Sequence, residues 1–232
     1  MDVSSATALV TGANRGLGRA LAAELISRGA TVYAGARNPD AVDLPGAKAV
    51  RLDVTDPASI TAAAEAADDV NLLINNAGSG TGADLLGGEL DAIRLEIDTH
   101  YLGTLATTRA FVPVIEANGG GSILNILSVL SWITVPDIGA YSAAKSAQWS
   151  LTNALRIQLA ERKIRVAGLH VGYIDTDLAR AVTSPKHDPA DVARTAIDGI
   201  ADDAYEIVVD DLSRNVQAGL AGGVAALYPT LP

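Results

Sequence analysis

Tyr141 and Lys145 stand four residues apart, and on a helix that spacing places a phenol and an ammonium on one face. An ammonium in that position lowers the pKa of a phenol that otherwise titrates near 10. Thirteen residues before the tyrosine, Ser128 follows the apolar run Ser122 to Leu127, which reads as a buried parallel strand. A hydroxyl at the carboxyl end of a central strand, beside a phenol and a lysine, is what reversible proton transfer to a carbonyl oxygen requires. Tyr-x-x-x-Lys also arises by chance on solvated helix faces, so the remaining motifs must decide.

The first of these lies at the other end of the chain. Thr7 to Thr11 is a short apolar strand, followed by Gly12-Ala-Asn-Arg-Gly16-Leu-Gly18 and an amphipathic helix to about Arg28. Strand, glycine turn and helix form the layout of a dinucleotide-binding unit. Gly12 permits the tight turn, Gly16 lets backbone approach a pyrophosphate, and Gly18 allows close packing of the helix. The helix N-terminus then offers free N–H groups to phosphate. A second strand, Thr31 to Gly35, ends in Ala36-Arg37, where an NAD site would carry an acid for the ribose 2′-hydroxyl. An apolar residue and then a cation suit a 2′-phosphate, with Arg15 able to clamp it from the other side. Solvated surface arginines are the plainer alternative.

Ala47 to Leu52 reads as a third strand, and Asp53-Val54 closes it. The Asp53 carboxylate either accepts from an adenine amino group or caps the following turn. Asp56 is an N-cap ahead of Pro57 and a helix to about Asp68. The fourth strand, Asn71 to Asn75, runs into Asn76-Ala77-Gly78. There the amides can brace backbone, and the glycine admits a ligand closely. A helix from about Glu89 to Ile115 follows, then the strand at 122–127, a helix from near Tyr141 to near Arg162, and the strand Ile164 to Leu169. Val171 to Thr176 is a loop at its end. A Pro- and charge-rich segment, Ser184 to Asp191, leads to a helix, and Tyr205 to Val209 is the last strand. Strands alternating with helices imply a parallel sheet covered on both faces, with ligands at the carboxyl ends of the strands. No linker or long repeat interrupts residues 1–232, so one domain is expected.

Composition narrows the functions. Hydrophobic content of 49% against 19% charged residues excludes a disordered chain. A net charge of −10 without a Lys/Arg cluster argues against nucleic acid and anionic membranes. The absence of cysteine excludes disulfides and thiolate metal sites. The three histidines, His100, His170 and His187, are too scattered for a metal motif, so no metal is expected. Met1 to Ser5 lacks the features of a signal peptide, and no run reaches the roughly 20 apolar residues that span a bilayer. A cytoplasmic protein is the expectation.

Together these residues resemble the short-chain dehydrogenase/reductase family over nearly the whole chain. The family's T-G-x-x-x-G-x-G appears as Thr11 to Gly18, its N-N-A-G as Asn75 to Gly78, and its Y-x-x-x-K as Tyr141 to Lys145, with Ser128 in the place of its serine. The resemblance implies a Rossmann-like, doubly wound parallel sheet of seven strands in the order 3-2-1-4-5-6-7. It also implies one nicotinamide cofactor, and a homodimer or homotetramer through the fourth and fifth helices. Cofactor contacts carry over to Gly12, Asn14, Arg15, Gly16, Leu17, Gly18, Arg37, Asp53, Val54, Asn76, Ala77, Gly78, Tyr141, Lys145, Gly172, Ile174 and Thr176. Tyr141 would exchange a proton with the substrate oxygen, Lys145 would tune it and hold the nicotinamide ribose, and Ser128 would stabilise developing charge. Ser131 is a rival for Ser128, but its spacing suits a pocket wall.

Two positions depart from the family. His100 stands where an asparagine usually precedes Gly103 by three residues, an asparagine thought to hold a proton-relay water. An imidazole both donates and accepts, so His100 is expected to relay protons or face substrate, against the alternative of a packed histidine. Val171 replaces the proline of a Pro-Gly loop and frees a backbone N–H. The pocket is expected to include Ser131, Trp132, Val171 and Tyr173, with Tyr101 beside His100, and the aromatics favour an apolar substrate. The glycine-rich tail, Gly219 to Gly223, packs on a neighbouring subunit or frays. The function expected is NADPH-dependent reduction of a ketone, aldehyde or imine, or oxidation of the alcohol. A lyase or epimerase on the same fold, and an NADP-sensing binding protein, are the alternatives.

Overall fold

Neighbouring residues of the first strand, β1 (Thr7–Thr11), divide between two cores. Ala8 and Val10 join Leu21, Leu25, Val32, Ala193 and Ile197 on one side. Leu9 joins Phe111, Ile115, Ile123, Leu155 and Val166 on the other. Both faces of the pleat are therefore buried, which is why the strands read as continuous apolar runs rather than alternating ones.

The computed structural model describes residues 1–231. The strands β1, β2 (Thr31–Ala36), β3 (Ala47–Arg51), β4 (Leu72–Asn75), β5 (Gly121–Ile126), β6 (Ile164–His170) and β7 (Glu206–Val208) form one sheet. Its order is β3-β2-β1-β4-β5-β6-β7, and every pairing is parallel. The helices α1 (Gly16–Ser27) and α6 (Pro189–Ala201) cover the first core. On the other face lie α2 (Pro57–Ala66), the long helix α3 (Leu90–Ile97) running into α4 (Gly103–Ala117), and α5 (Gly139–Leu159). This is the doubly wound arrangement expected, and the strand order reverses between β1 and β4, where such sheets bind ligands.

Local chemistry sets the element ends. Asp56 caps α2 by accepting from the Ala58 N–H at 3.0 Å, ahead of Pro57. Asp188 does the same for α6 at 2.7 Å, ahead of Pro189. Between α3 and α4 the chain does not break. Residues Asp98–Leu102 form a π-turn in which the Gly103 N–H donates to the Asp98 carbonyl, one residue wider than the α-helical ladder. The tail beyond the last strand folds on its own chain. Helices α7 (Asp211–Gly219) and α8 (Gly223–Leu227) carry Tyr228 to the loop after Trp132, where its hydroxyl accepts from the Thr134 N–H at 2.9 Å.

Candidate active site

At the switch point the glycine loop and the turn after β4 are tied together. The Thr11 hydroxyl accepts from the N–H groups of Asn76 and Ala77, each at 2.9 Å, and Asn76 Nδ2 donates to the Thr11 carbonyl at 2.9 Å. Gly12 sits at φ +68°, and a side chain on Gly18 would overlap the Gly12 carbonyl oxygen, so both positions require glycine. Arg15 precedes α1 with no side-chain cap, leaving the first N–H groups of the helix, beside Asn14 and Leu17, for an anion. Arg37 follows the buried Ala36 at the end of β2, is exposed, and makes no ion pair among the described residues. A phosphate-bearing dinucleotide fits this cradle.

Asp53 closes an Asx-type turn, accepting from the Thr55 N–H at 3.0 Å and hydroxyl at 2.7 Å. Burial pushes its carboxyl up, but those two bonds and the charges of Arg37 and Arg51 outweigh it and hold the pKa below the usual range. The capping role is thus present. Arg15 pairs with Asp177 at 2.8 Å. With Thr176 packed on Gly16 and Leu178 on Gly80, the segment carrying Asp177 straps across the cleft. Val54 packs on Gly103, and Ile174 bridges to His187.

Ser128, Tyr141 and Lys145 converge beyond the end of β5. Ser128 is 6% exposed, and its hydroxyl donates to the Val171 carbonyl at 3.5 Å while lying near enough to the Tyr141 phenol to oppose the rise in its pKa. It is set by its turn: its oxygen accepts from the Leu130 N–H at 3.1 Å, and the Ser131 hydroxyl accepts from its N–H at 3.2 Å. Ser131, 3% exposed, thus braces Ser128. Lys145 is buried and donates to the Ile126 carbonyl at 2.7 Å and to Gln148 Oε1 at 2.9 Å, with Nζ 5.7 Å from the Tyr141 ring centre. Burial drives its pKa down to about 7, with the Glu96 carboxylate pulling the other way.

The phenol itself corrects the sequence reading. Burial first, and then the charges of Glu96 and Tyr173, raise the Tyr141 pKa above its ordinary value, with the Ser128 hydroxyl opposing. The lysine expected to lower it gives its N–H groups to Ile126 and Gln148 and is itself driven toward neutrality by burial. The protonated phenol is the resting form.

His100 lies in the π-turn and meets Tyr141 edge-on, with ring centres 5.1 Å apart. Its neighbour Tyr101 packs instead against the apolar layer under α4, outside the pocket. His100 Nε2 lies 3.2 Å from Glu96 Oε2 and 2.9 Å from the Ser79 carbonyl, whereas Nδ1 is buried without a partner. Burial and the Lys145 charge lower the imidazole pKa, partly offset by Glu96. Glu96 is fully buried and its pKa falls to about 2: burial opposes ionisation, but His100, Ser79 and Thr81 hydrogen bonds prevail. The sequence reading missed this carboxylate, although its spacing of four from His100 is the helical one. The same ring explains Gly78, where a Cβ would stand 2.8 Å from His100 Cε1.

The remaining pocket residues divide. Tyr173 is half-buried and close enough to the phenol to raise its pKa. Trp132 stacks on His170 at 3.7 Å and closes a wall, while Val171 is part of the core. The Gly172 N–H donates to Asp210 Oδ2 at 2.6 Å, a loop anchor 38 residues away that no sequence motif announced. Beside Gly139, in the first turn of α5, opens a groove of about 530 Å³ walled by Leu85, Val135, Pro136, Val224, Tyr228 and Leu231. Its lining holds Asp84 and Asp137 but no basic side chain.

A doubly wound sheet with a glycine-turn cradle and a Ser–Tyr–Lys centre defines the class, and the chain belongs to the short-chain dehydrogenase/reductase family. The family model described as short chain dehydrogenase matches residues 6–187. SadH of Mycobacterium tuberculosis, named as an oxidoreductase, is 31% identical over 96% of each chain. Among solved structures, a short chain dehydrogenase from Burkholderia cenocepacia in complex with NADP is 34% identical, covers 100% of both chains and superimposes with a TM-score of 0.95. A relative from Burkholderia phymatum in complex with NAD is 26% identical, with a TM-score of 0.88 over 100% of this chain and 99% of that one. The chain is an oxidoreductase of this family. Among the described residues no helix is long and apolar enough to cross a membrane.

Proposed function

We propose that the chain is an NADP(H)-dependent reductase of an apolar ketone or aldehyde, and by reversal the dehydrogenase of the alcohol. The carrying observation is the convergence of Ser128, Tyr141 and Lys145 beside the glycine cradle. Gly12, Asn14, Arg15, Gly16, Leu17, Gly18, Asp53, Val54, Asn76, Ala77, Gly78, Gly172, Ile174 and Thr176 would hold the dinucleotide, with Arg37 at a 2′-phosphate and Lys145 at the nicotinamide ribose. When bound, the nicotinamide supplies or takes the hydride. Tyr141, kept protonated by burial, gives its proton to the substrate oxygen. Ser128 donates to the same oxygen as its charge grows. Preference for NADP rests on Arg37 and on the lack of an acid at the end of β2; the likeness to an NAD-bound relative is the reason to test it.

The aromatic rings of Trp132, stacked on His170, and Tyr173, beside the phenol, support the substrate class and favour an uncharged apolar carbonyl compound. Imines remain within reach of the same proton donor. A dimer or tetramer through α4 and α5 has support in the groove of Leu105, Val112, Pro113, Leu155 and Leu159 between them, and in Ile157, 80% exposed. The cytoplasm is the compartment that fits a chain without cysteine.

Calorimetric titration with NADPH and NADH, then acetophenone, cyclohexanone and 2-octanone followed at 340 nm, tests this reading. NADPH should bind more tightly by about tenfold or more, an advantage lost in Arg37→Ala. Tyr141→Phe should bind NADPH normally and lose roughly a thousandfold in kcat. Failure to bind either nucleotide would refute the cofactor assignment. Tight binding without turnover on carbonyls and imines would favour a sensing role, and turnover of another substrate without net absorbance change a lyase or epimerase.

A further inference from the structure

His100 Nε2 faces two oxygen acceptors, Ser79 O at 2.9 Å and Glu96 Oε2 at 3.2 Å, against a single N–H donor, that of Ser79, at 3.3 Å. Two acceptors, one of them a carboxylate, fix the proton on Nε2. Nδ1 is then a bare lone pair, buried and without a partner, on a ring whose edge meets the catalytic phenol. On its far side the Glu96 carboxylate accepts from the Ser79 hydroxyl at 2.8 Å, and Ser79 is half-buried. A connected polar chain therefore runs from the protein's outer shell through Ser79 and Glu96 to His100 at the Tyr141 ring.

We propose that Glu96 is a positioning residue for catalysis: by holding the Nε2 proton it makes His100 Nδ1 the site at which protons pass to and from Tyr141 and Lys145. This rests on the oxidoreductase reading above. In reduction, Tyr141 loses its O–H proton to the substrate oxygen. The neutral imidazole takes a proton from solvent on Nδ1, with Glu96 offsetting the charge while it is there. That Nδ1–H bond then breaks as the proton passes to the Tyr141 phenolate, directly or through Lys145 or a bound water, and Nδ1 is bare again. In oxidation the same proton moves from Tyr141 to Nδ1. The charged and titratable groups facing His100 are Glu96 on α3 and Tyr141 and Lys145 on α5; the loop after β4 contributes the neutral Ser79.

The test uses the full chain labelled with 15N-histidine, His100 being assigned by the signal missing in His100→Asn. At pH 7 the wild type should show His100 protonated on Nε2 and bare on Nδ1. A proton found on Nδ1 overturns the proposal whether or not any substrate is turned over. With a panel ketone that is reduced, Glu96→Gln should lower kcat about tenfold with little change in KM. It should also move the His100-dependent limb of the kcat–pH profile to lower pH by about one, because the imidazolium loses its counter-charge. In the His100→Asn background the same substitution should cost almost nothing, since the coupling runs through the imidazole. Ser79→Ala, which keeps the carboxylate, should leave the limb in place and slow kcat only mildly. An unmoved limb in Glu96→Gln, or an equal loss in the His100→Asn background, overturns the relay. If the wild type reduces no carbonyl, the reductase reading fails, and the tautomer alone decides this one.

Discussion

Two buried histidines, His100 and His170, each lie against a glutamate, and they differ in what surrounds the ring. His170 ends β6 with Nδ1 3.2 Å from the Ser128 carbonyl and Nε2 2.9 Å from Glu206 Oε2, a close contact in which neither Nε2 nor Oε2 completes a hydrogen bond. Its face is covered by Trp132, and Glu206 is held in turn by Arg156 at 2.7 Å. His100 has Nε2 committed and Nδ1 without a partner, on a ring whose centre lies 5.1 Å from that of the phenol. Each pair keeps an unmet polar atom, Nδ1 in one and Nε2 with Glu206 Oε2 in the other, so the surroundings separate them: a tryptophan and an arginine lock His170 into the framework, whereas His100 stands beside the catalytic phenol. The same pair of residue types thus braces Ser128 from below and serves Tyr141 from the side.

The largest separation between the two pairs should appear in acid. Glu96 titrates at about 2 in the folded protein against 4.5 ordinarily. Its contribution is therefore complete above about pH 4.5 and is lost as pH falls toward 2. That span corresponds to roughly 3 kcal/mol. Urea unfolding of wild type and Glu96→Gln between pH 5 and 3 should show the steeper acid loss in the wild type; parallel curves would break the assignment. Next, His170→Phe should destabilise by roughly 2 kcal/mol, because Glu206 and the Ser128 carbonyl lose their partner, while His100→Asn should cost less than about 1 kcal/mol. Thermal unfolding of both checks this, and the reverse order would exchange their roles. The most local effect is expected at Gly78→Ala. Its Cβ would press the imidazole from 2.8 Å, costing about 1 kcal/mol or somewhat more, and should alter the His100 NMR signal without touching that of His170.

What could be read from the chain follows from how local its cause is. Gly12, Gly18 and the Tyr141–Lys145 pair report backbone and helix geometry within a few residues, so their types and spacing suffice. The Asp56 cap and the convergence of Ser128 with Tyr141 followed from such signals, whereas the strand order came from the likeness of the motifs to the family. Glu96 was half legible: its helical spacing to His100 is in the sequence, but only burial distinguishes it from a solvated surface acid. Asp210 and Glu206 act across the sheet on residues dozens of positions away, and no local rule foretells which acid turns inward. The direction of the Tyr141 shift failed for a related reason. A lysine four residues away was visible, but the carbonyl and amide that engage it were not.

The π-turn at Asp98–Leu102 divides one continuous helix into two with different orientations. One additional residue in a helix advances the chain by about 100° around the axis. Glu96 and His100 can thus look toward the phenol while Phe111 and Ile115, on the same rod, look into the sheet. Loss of a single residue from this turn would hardly change the helix's length, yet it would rotate one of these faces out of phase with the other. For this segment, deletion by one is a more severe change than most substitutions, because it acts on the helix as a frameshift acts on a reading frame.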